Sequence, residues 1–386
     1  MKHVTIAITT VALLSAAGTA NAGAKIKIND DATINLGFRL QTLLITRSGD
    51  VNTEDEFKVR RARFRLGSTI TDKASIFLQT DISGKSMNMI DAFITFKPSK
   101  SLNIIVGENM VPASRQNLTS SSSLMTIDRP GIAYKSLNWG GRALQSFANN
   151  TIGETKSGLG SKYAVRDGGA TVFGKGNISD DTHYKYYVGL YNGADDAASD
   201  GFMYSGRFQV NFGDAESGYY NASTYLGKKQ TYSVGVSYTA QADATTEVDT
   251  GNAVDYSLLS VDGFIEQPIA NGIFSAEAAY SKMELDGAGD LGTTDGKVNG
   301  NGKKSEGDGF YAQAGFLVDD IQYWAGYEQW GSNDAANMGT FDSARLGFTY
   351  FLKGQNLNLK AGIEKTNFDW NDKSDTSFVL GAYVNF

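Results

Sequence analysis

Residues 57–70 read Phe57-Lys58-Val59-Arg60-Arg61-Ala62-Arg63-Phe64-Arg65-Leu66-Gly67-Ser68-Thr69-Ile70, with arginine at every second position from Arg61 to Arg65. A β-strand sends alternate side chains to opposite faces. Arg61, Arg63 and Arg65 therefore share one face with Gly67, and Ala62, Phe64, Leu66 and Ile70 share the other. One face is a column of guanidinium groups and the other is apolar. Such a strand fits a transmembrane barrel wall, with lipid outside and a water-filled, anion-attracting lumen inside.

Composition narrows the alternatives. Residues 1–22 have the form of a cleaved export signal. Lys2 is their only charge, 4–17 is mostly apolar, and Ala20-Asn21-Ala22 is a small-x-small cleavage site. The mature chain is expected to start at Gly23, and its net charge becomes −8, from −7 for the full sequence, when Lys2 leaves. The chain has no cysteine, and His183 is the sole histidine after the leader. Disulfide frameworks, thiol nucleophiles and cysteine metal sites are excluded, and histidine triads or multi-histidine metal sites have almost no material. The reading calls for no enzyme chemistry and no cofactor. No stretch approaches the ~20 apolar residues of a spanning helix. A membrane crossing must then be a closed sheet, because an open edge leaves unpaired amides in lipid.

Alternation predicts sixteen strands: 33–46, 57–71, 74–84, 88–97, 101–108, 164–176, 181–192, 204–213, 230–241, 254–268, 271–285, 308–318, 321–331, 340–352, 356–368 and 374–386. An even count suits a bacterial single-chain antiparallel barrel, and most of these strands are long enough to cross the hydrocarbon. One set of connections is mostly short, as at Thr71-Asp72-Lys73 and Asp319-Asp320. The other is longer and rich in Gly, Asn and Asp. The phase is clearest in the last strand, where Phe378, Leu380, Ala382, Val384 and Phe386 oppose Ser377, Val379, Gly381, Tyr383 and Asn385. A secreted β-sandwich also alternates, but sixteen strands without a domain break favour a single barrel over 23–386.

The third long connection, 109–163, is far longer than an ordinary loop, which marks it as functional. It holds Arg115, Arg129, Lys135, Arg142, Lys156 and Lys162 against Asp128 and Glu154. The outer connections 47–56, 193–203 and 242–253 are instead acidic. If the long loop folds inward, it faces Arg39, Arg61, Arg63 and Arg65 across a narrow gap, where a low-dielectric wall focuses positive potential. Asp81 and Asp91 face inward by parity and are available to balance that charge. The serine run 120–123 is either a plain linker or a row of donors to an oxyanion. Segment 214–229 is too long for a simple turn, and the sequence offers no account of it. The basic tract at 60–63 looks like a nucleic-acid patch only out of context, since the exported chain is acidic.

Taken together these residues resemble the phosphate-selective porin O and P family. Phe57-Lys58-Val59-Arg60-Arg61-Ala62-Arg63-Phe64, Gln79-Thr80-Asp81, Asp91-Ala92-Phe93, and Val106-Gly107 before Pro112 carry the likeness. Leu118-Thr119-Ser120-Ser121 followed by Asp128-Arg129 resembles the family's inward loop, and 184–193 its seventh strand. The resemblance implies a homotrimer of barrels in the bacterial outer membrane that passes phosphate or related oxyanions. It also implies a constriction built from Arg60, Arg61, Asp91, Ser120, Ser121 and Arg129, with Arg39 as a first-strand counterpart and 109–163 as the constriction loop. Arg63 and Arg65 join that set from the strand pattern. Two departures stand out. Alternation sends Arg60 outward when Arg61 points inward, unless a bulge intervenes. Arg115 stands near where the family's loop carries an acid. The alternative reading is a general diffusion porin with little ion selectivity.

Overall fold

The computed structural model describes residues 23–50, 55–84, 87–99, 101–132, 165–193, 201–246, 250–286, 307–332, 340–369 and 372–386. The leader, the loop charges Lys135, Arg142, Glu154, Lys156 and Lys162, and the outer acids Glu54, Asp195, Asp196, Asp200, Glu247 and Asp249 lie outside those residues.

The first half of the chain supplies β1 (Ala24–Lys27), β2 (Thr33–Gly49), β3 (Glu56–Thr71), β4 (Ala74–Asp81), β5 (Asn88–Ser99), β6 (Leu102–Met110), α1 (Arg115–Leu118), β7 (Arg166–Asn177) and β8 (Thr182–Tyr191). The second half supplies β9 (Met203–Gly213), β10 (Thr231–Thr246), β11 (Ala253–Ile269), β12 (Gly272–Asp286), β13 (Gly307–Val318), β14 (Ile321–Ser332), β15 (Phe341–Phe351), β16 (Leu357–Phe368) and β17 (Lys373–Asn385). From β2 onward each strand pairs antiparallel with the next, and β17 pairs back onto β2, closing a sixteen-stranded barrel. Closure leaves no edge, the condition under which a sheet survives in lipid.

β1 is an addition to the expected set. β17 covers β2 only as far as Arg39, and β1 continues along the same edge, pairing Ala24 with Leu36 and Lys27 with Thr33. It occupies backbone groups that β17 does not reach. Its four residues are exposed and include two lysines, so no apolar alternation announces it.

Both faces follow the pleat. In β17 Phe378 and Leu380 are exposed while Val379 and Tyr383 are buried. Phe64, Val106, Val188, Phe208, Val234 and Leu346 continue the apolar outer surface around the ring. Pro98 and Pro268 sit next to strand ends, where a missing ladder donor costs least. Among the described residues no helix is long and apolar enough to cross a membrane. Two segments from opposite mouths of the barrel run inside it.

Candidate functional site

The register of β2 against β3 builds the arginine column. Arg39 faces Arg63, Gly37 faces Arg65 and Gln41 faces Arg61. All four arginines are buried. The next pair is Thr42 with Val59, so Arg60 is an extra residue on β3. That is a β-bulge, a device that re-aims a side chain. Arg60, outward by strict alternation, instead donates from Nε to Asp128 Oδ2 at 2.7 Å, and Arg61 Nη2 donates to Oδ1 of the same carboxylate at 2.9 Å. Burial alone would raise the Asp128 pKa. The guanidiniums of Arg60, Arg61 and Arg129 outweigh it and hold the carboxyl well below the usual range.

A second bulge lies between β4 and β5, where Gln79 pairs Asp91 but Thr80 pairs Met89. Asp91 is fully buried and accepts from Gln79 Nε2 at 2.5 Å and Arg166 Nε at 3.0 Å. Arg63 Nε donates to Asp81 at 2.8 Å. Arg39 meets only neutral acceptors, and Arg65 reaches an amide and the last residue of the sequence. Arg39 donates to Asn385 Oδ1 at 3.3 Å and to Ser121 Oγ, and Arg65 Nη2 to Asn385 Oδ1 at 2.8 Å and the Phe386 carbonyl at 3.1 Å. Among the described residues Arg39 forms no ion pair with an Asp or Glu side chain. Seven guanidiniums, those of Arg39, Arg60, Arg61, Arg63, Arg65, Arg129 and Arg166, thus share this region with the carboxylates of Asp81, Asp91 and Asp128. Arg166 was not in the sequence-derived set. Asp167 takes the buried position beside it at the start of β7, so alternation hides it.

The described part of the long loop, 111–132, is buried almost throughout. Ser114 caps α1, its Oγ accepting from Asn117 N at 3.0 Å. The serine run is an ordered turn, with Ser123 N donating to Ser120 O at 2.9 Å and the Ser120 and Ser122 hydroxyls 2.9 Å apart. Ser121 lies against the column: its Oγ accepts from Arg39 and, at 3.5 Å, from Arg63, and its carbonyl accepts from Gln41 at 2.9 Å. Ser120 is only partly buried. Arg129 turns into the loop's own backbone, donating to the carbonyls of Gln116 at 2.9 Å and Thr119.

The loop's second half is seated on β14, β16, β17 and the outer half of β2. Lys360 Nζ donates to the carbonyls of Leu124 at 2.5 Å and Thr126 at 2.8 Å, Tyr383 Oη to that of Ile127 at 2.9 Å, and Ile132 N to Glu328 at 2.6 Å. Met125 and Ile127 pack with Leu43, Ile45, Trp324 and Val379. Two glycines permit this approach. A Cβ on Gly315 would stand 2.5 Å from Met125 Sδ, and one on Gly362 would stand 3.0 Å from Ile127 Cδ1 and 2.4 Å from the Trp324 ring.

Segment 214–230 joins β9 to β10 at the short-turn end and enters the barrel from there. It meets the loop in a parallel bridge between Thr119 and Asn221. Ser120 N donates to Asn221 O at 3.0 Å, Asn221 N to Leu118 O at 2.9 Å and Ser223 N to Ser123 O at 3.0 Å. Arg115 donates to both Glu216 oxygens, at 2.7 and 2.9 Å, and stacks over Phe264 at 4.1 Å. The acid opposite Arg115 therefore comes from this connection rather than from the loop. Burial alone would raise the Glu216 pKa, but Arg115 beside it holds the carboxyl well below its ordinary value.

The far wall is rich in charge, and its two arginines are matched by carboxylates. Arg207 donates to both oxygens of Asp262, at 2.5 and 2.8 Å. Arg345 pairs with Glu328 and lies 3.7 Å from Glu364. Glu266 accepts from Tyr225 N at 2.8 Å, Gly227 N at 2.9 Å and Ser275 Oγ at 2.8 Å. Among the described residues no group of His, Asp or Glu could hold a metal ion.

Comparison with known proteins agrees with this architecture. The pattern of the family described as phosphate-selective porin O and P matches residues 34–357. An uncharacterized protein of Aquifex aeolicus (strain VF5) is 25% identical over 268 residues, covering 65% of this chain. The match spans just over half of that relative, 56% of its length. The anion-selective porin of Comamonas acidovorans superposes with a TM-score of 0.58 at 13% identity, over 92% of this chain and 100% of that one. The trimer form of OmpT, an outer-membrane protein of Vibrio cholerae, gives 0.52 at 12% identity, over 92% and 100%. At these identities the likeness to solved structures is one of fold.

Proposed function

The chain belongs to the phosphate-selective porin O and P family of outer-membrane channels, and from that premise we propose that it passes small anions by passive diffusion, with phosphate or a related oxyanion preferred. The observation that carries this reading is the imbalance on the wall formed by β2–β7 and the loop, where guanidiniums outnumber Asp and Glu carboxylates and Arg39 has only neutral acceptors. A low-dielectric wall around unmatched positive charge raises the local anion concentration. Arginine forks match phosphate and carboxylate oxygens in two-point contacts. Arg39, Arg60, Arg61, Arg63, Arg65, Asp91, Ser120, Ser121 and Arg129 form the constriction, and Arg166 joins them. Conduction needs contacts strong enough to replace hydration and weak enough to release. The carboxylates of Asp81, Asp91 and Asp128 serve that second need by competing for the arginines.

The channel works as a homotrimer in the outer membrane, reached through the cleaved leader. A detergent-resistant oligomer whose gel mobility shifts on heating is the expected sign. The deciding experiment is reversal potential in a planar bilayer under a KCl gradient, followed by titration with phosphate. Anion-selective current that phosphate blocks supports the reading. Unselective current untouched by phosphate leaves a general diffusion porin.

A further inference from the structure

The connection 214–230 does more than link two strands. Glu216 is 3% exposed. Besides Arg115, its carboxylate accepts from Gln209 Nε2 at 2.6 Å, Asn211 Nδ2 at 3.0 Å and Tyr225 Oη at 2.5 Å. Gln209 and Asn211 belong to β9, so this carboxylate ties the barrel wall to the long loop. Arg115 opens α1, and the chain then runs through Thr119 into the serine turn. Asn221 and Ser223, from the same connection, take three backbone hydrogen bonds of the 118–123 stretch. Asn221 is itself fixed by Lys185, whose Nζ donates to its Oδ1 at 2.6 Å. Ser121, which touches Arg39 and Arg63, thus hangs on a support that enters from the opposite mouth.

We propose that Glu216 is a positioning residue for ion selectivity: through Arg115 it holds the serine turn against Arg39 and Arg63. This rests on the anion-channel reading given above. Without Glu216 the nearest charged partner of Arg115 is Glu277, whose carboxylate lies 3.5 Å from Arg115 Nε and already accepts from Gln116 and Ser223 at 2.6 and 2.8 Å. The bidentate fork that orients α1 is lost, and the serine turn loses its fixed distance from the column. Charge on the arginine wall does not change. The effect therefore falls on recognition of an oxyanion more than on conductance.

The test compares wild type with Glu216→Gln and Ser121→Ala, singly and together, in planar bilayers. The readouts are the inorganic phosphate concentration that half-blocks chloride current, single-channel conductance, and heat-dependent gel mobility as a check of assembly. We expect Glu216→Gln to assemble and to raise the half-blocking concentration by at least about fivefold, the lower end of a site-to-site coupling. Conductance should change by a smaller factor. The double variant should be no worse than the poorer single one, because both substitutions act through one turn. If Glu216→Gln does not assemble, Glu216→Asp, which keeps the charge and shortens the reach, carries the same comparison. A correctly assembled variant with unchanged phosphate block overturns the inference while leaving the channel reading intact. Additive losses in the double variant overturn it as well. A wild-type current that phosphate does not touch takes down both.

Discussion

The two walls of the lumen carry similar chemistry to different ends. On β2–β7 guanidiniums exceed Asp and Glu carboxylates, and Arg39 ends on an amide oxygen and a serine hydroxyl. On β9–β16 Arg207 and Arg345 are each matched by carboxylates. Matched pairs inside a barrel brace the wall and leave little field in the water. Unmatched ones leave their field available to an ion. What sets the two walls apart is thus the arginine left without a carboxylate, Arg39, beside the proposed filter.

Four measurements sharpen or break that contrast. The largest effect is expected from Arg345→Ala, which leaves the Glu328 and Glu364 carboxylates uncompensated in the wall. Breaking a buried pair costs about 3–5 kcal/mol, read as a lower temperature for the gel-mobility shift, and ion selectivity should change less than it does in Arg39→Ala. Equal selectivity loss in both would erase the distinction between the walls. Gly315→Val comes next, because its side chain would collide with Met125. Overpacking of this kind costs roughly 1–3 kcal/mol, and displacement of the loop should appear as altered single-channel conductance. Arg39→Ala removes an unmatched charge from the proposed filter. One unit charge at 4 Å in water is worth about 1 kcal/mol, so the anion-to-cation permeability ratio should fall by roughly fivefold.

The smallest effect concerns pH. A carboxylate whose folded pKa is depressed adds stability above its unfolded pKa, and that stability is lost only as pH falls through the lower folded value. Glu216 is such a group, with an ordinary pKa of 4.5 and a folded value well below it. Asp128, held down by three arginines, behaves likewise. Between pH 7 and about pH 5, still above the unfolded value of either group, reversal potential should be unchanged. A collapse of selectivity in that interval would show that these two ties do not govern the filter.

Much of this was legible in advance because alternation is a local signal. Sixteen strands could be drawn near their true ends, and the inward parity of Arg61, Arg63, Asp81 and Asp91 needed only counting. The bulges were illegible: one extra residue on β3 shows only when the strand is laid against β2, and it decides where Arg60 points. The contact of Ser121 with Arg39 joins residues 82 positions apart, and nothing local encodes it. The connection 214–230 resisted for the same reason. Its tyrosines and Glu216 make sense only against partners such as Arg115 that arrive from the other mouth.

The loop and the connection meet through their own backbones, outside the barrel's continuous strand-to-strand ladder. One side of the lining is thus added to the hoop that resists the bilayer, while the arginine column is written into the hoop itself. A lineage, or an engineer, can reshape the inserted side by editing two segments, whereas a change to the arginine column has to be made in the strands themselves.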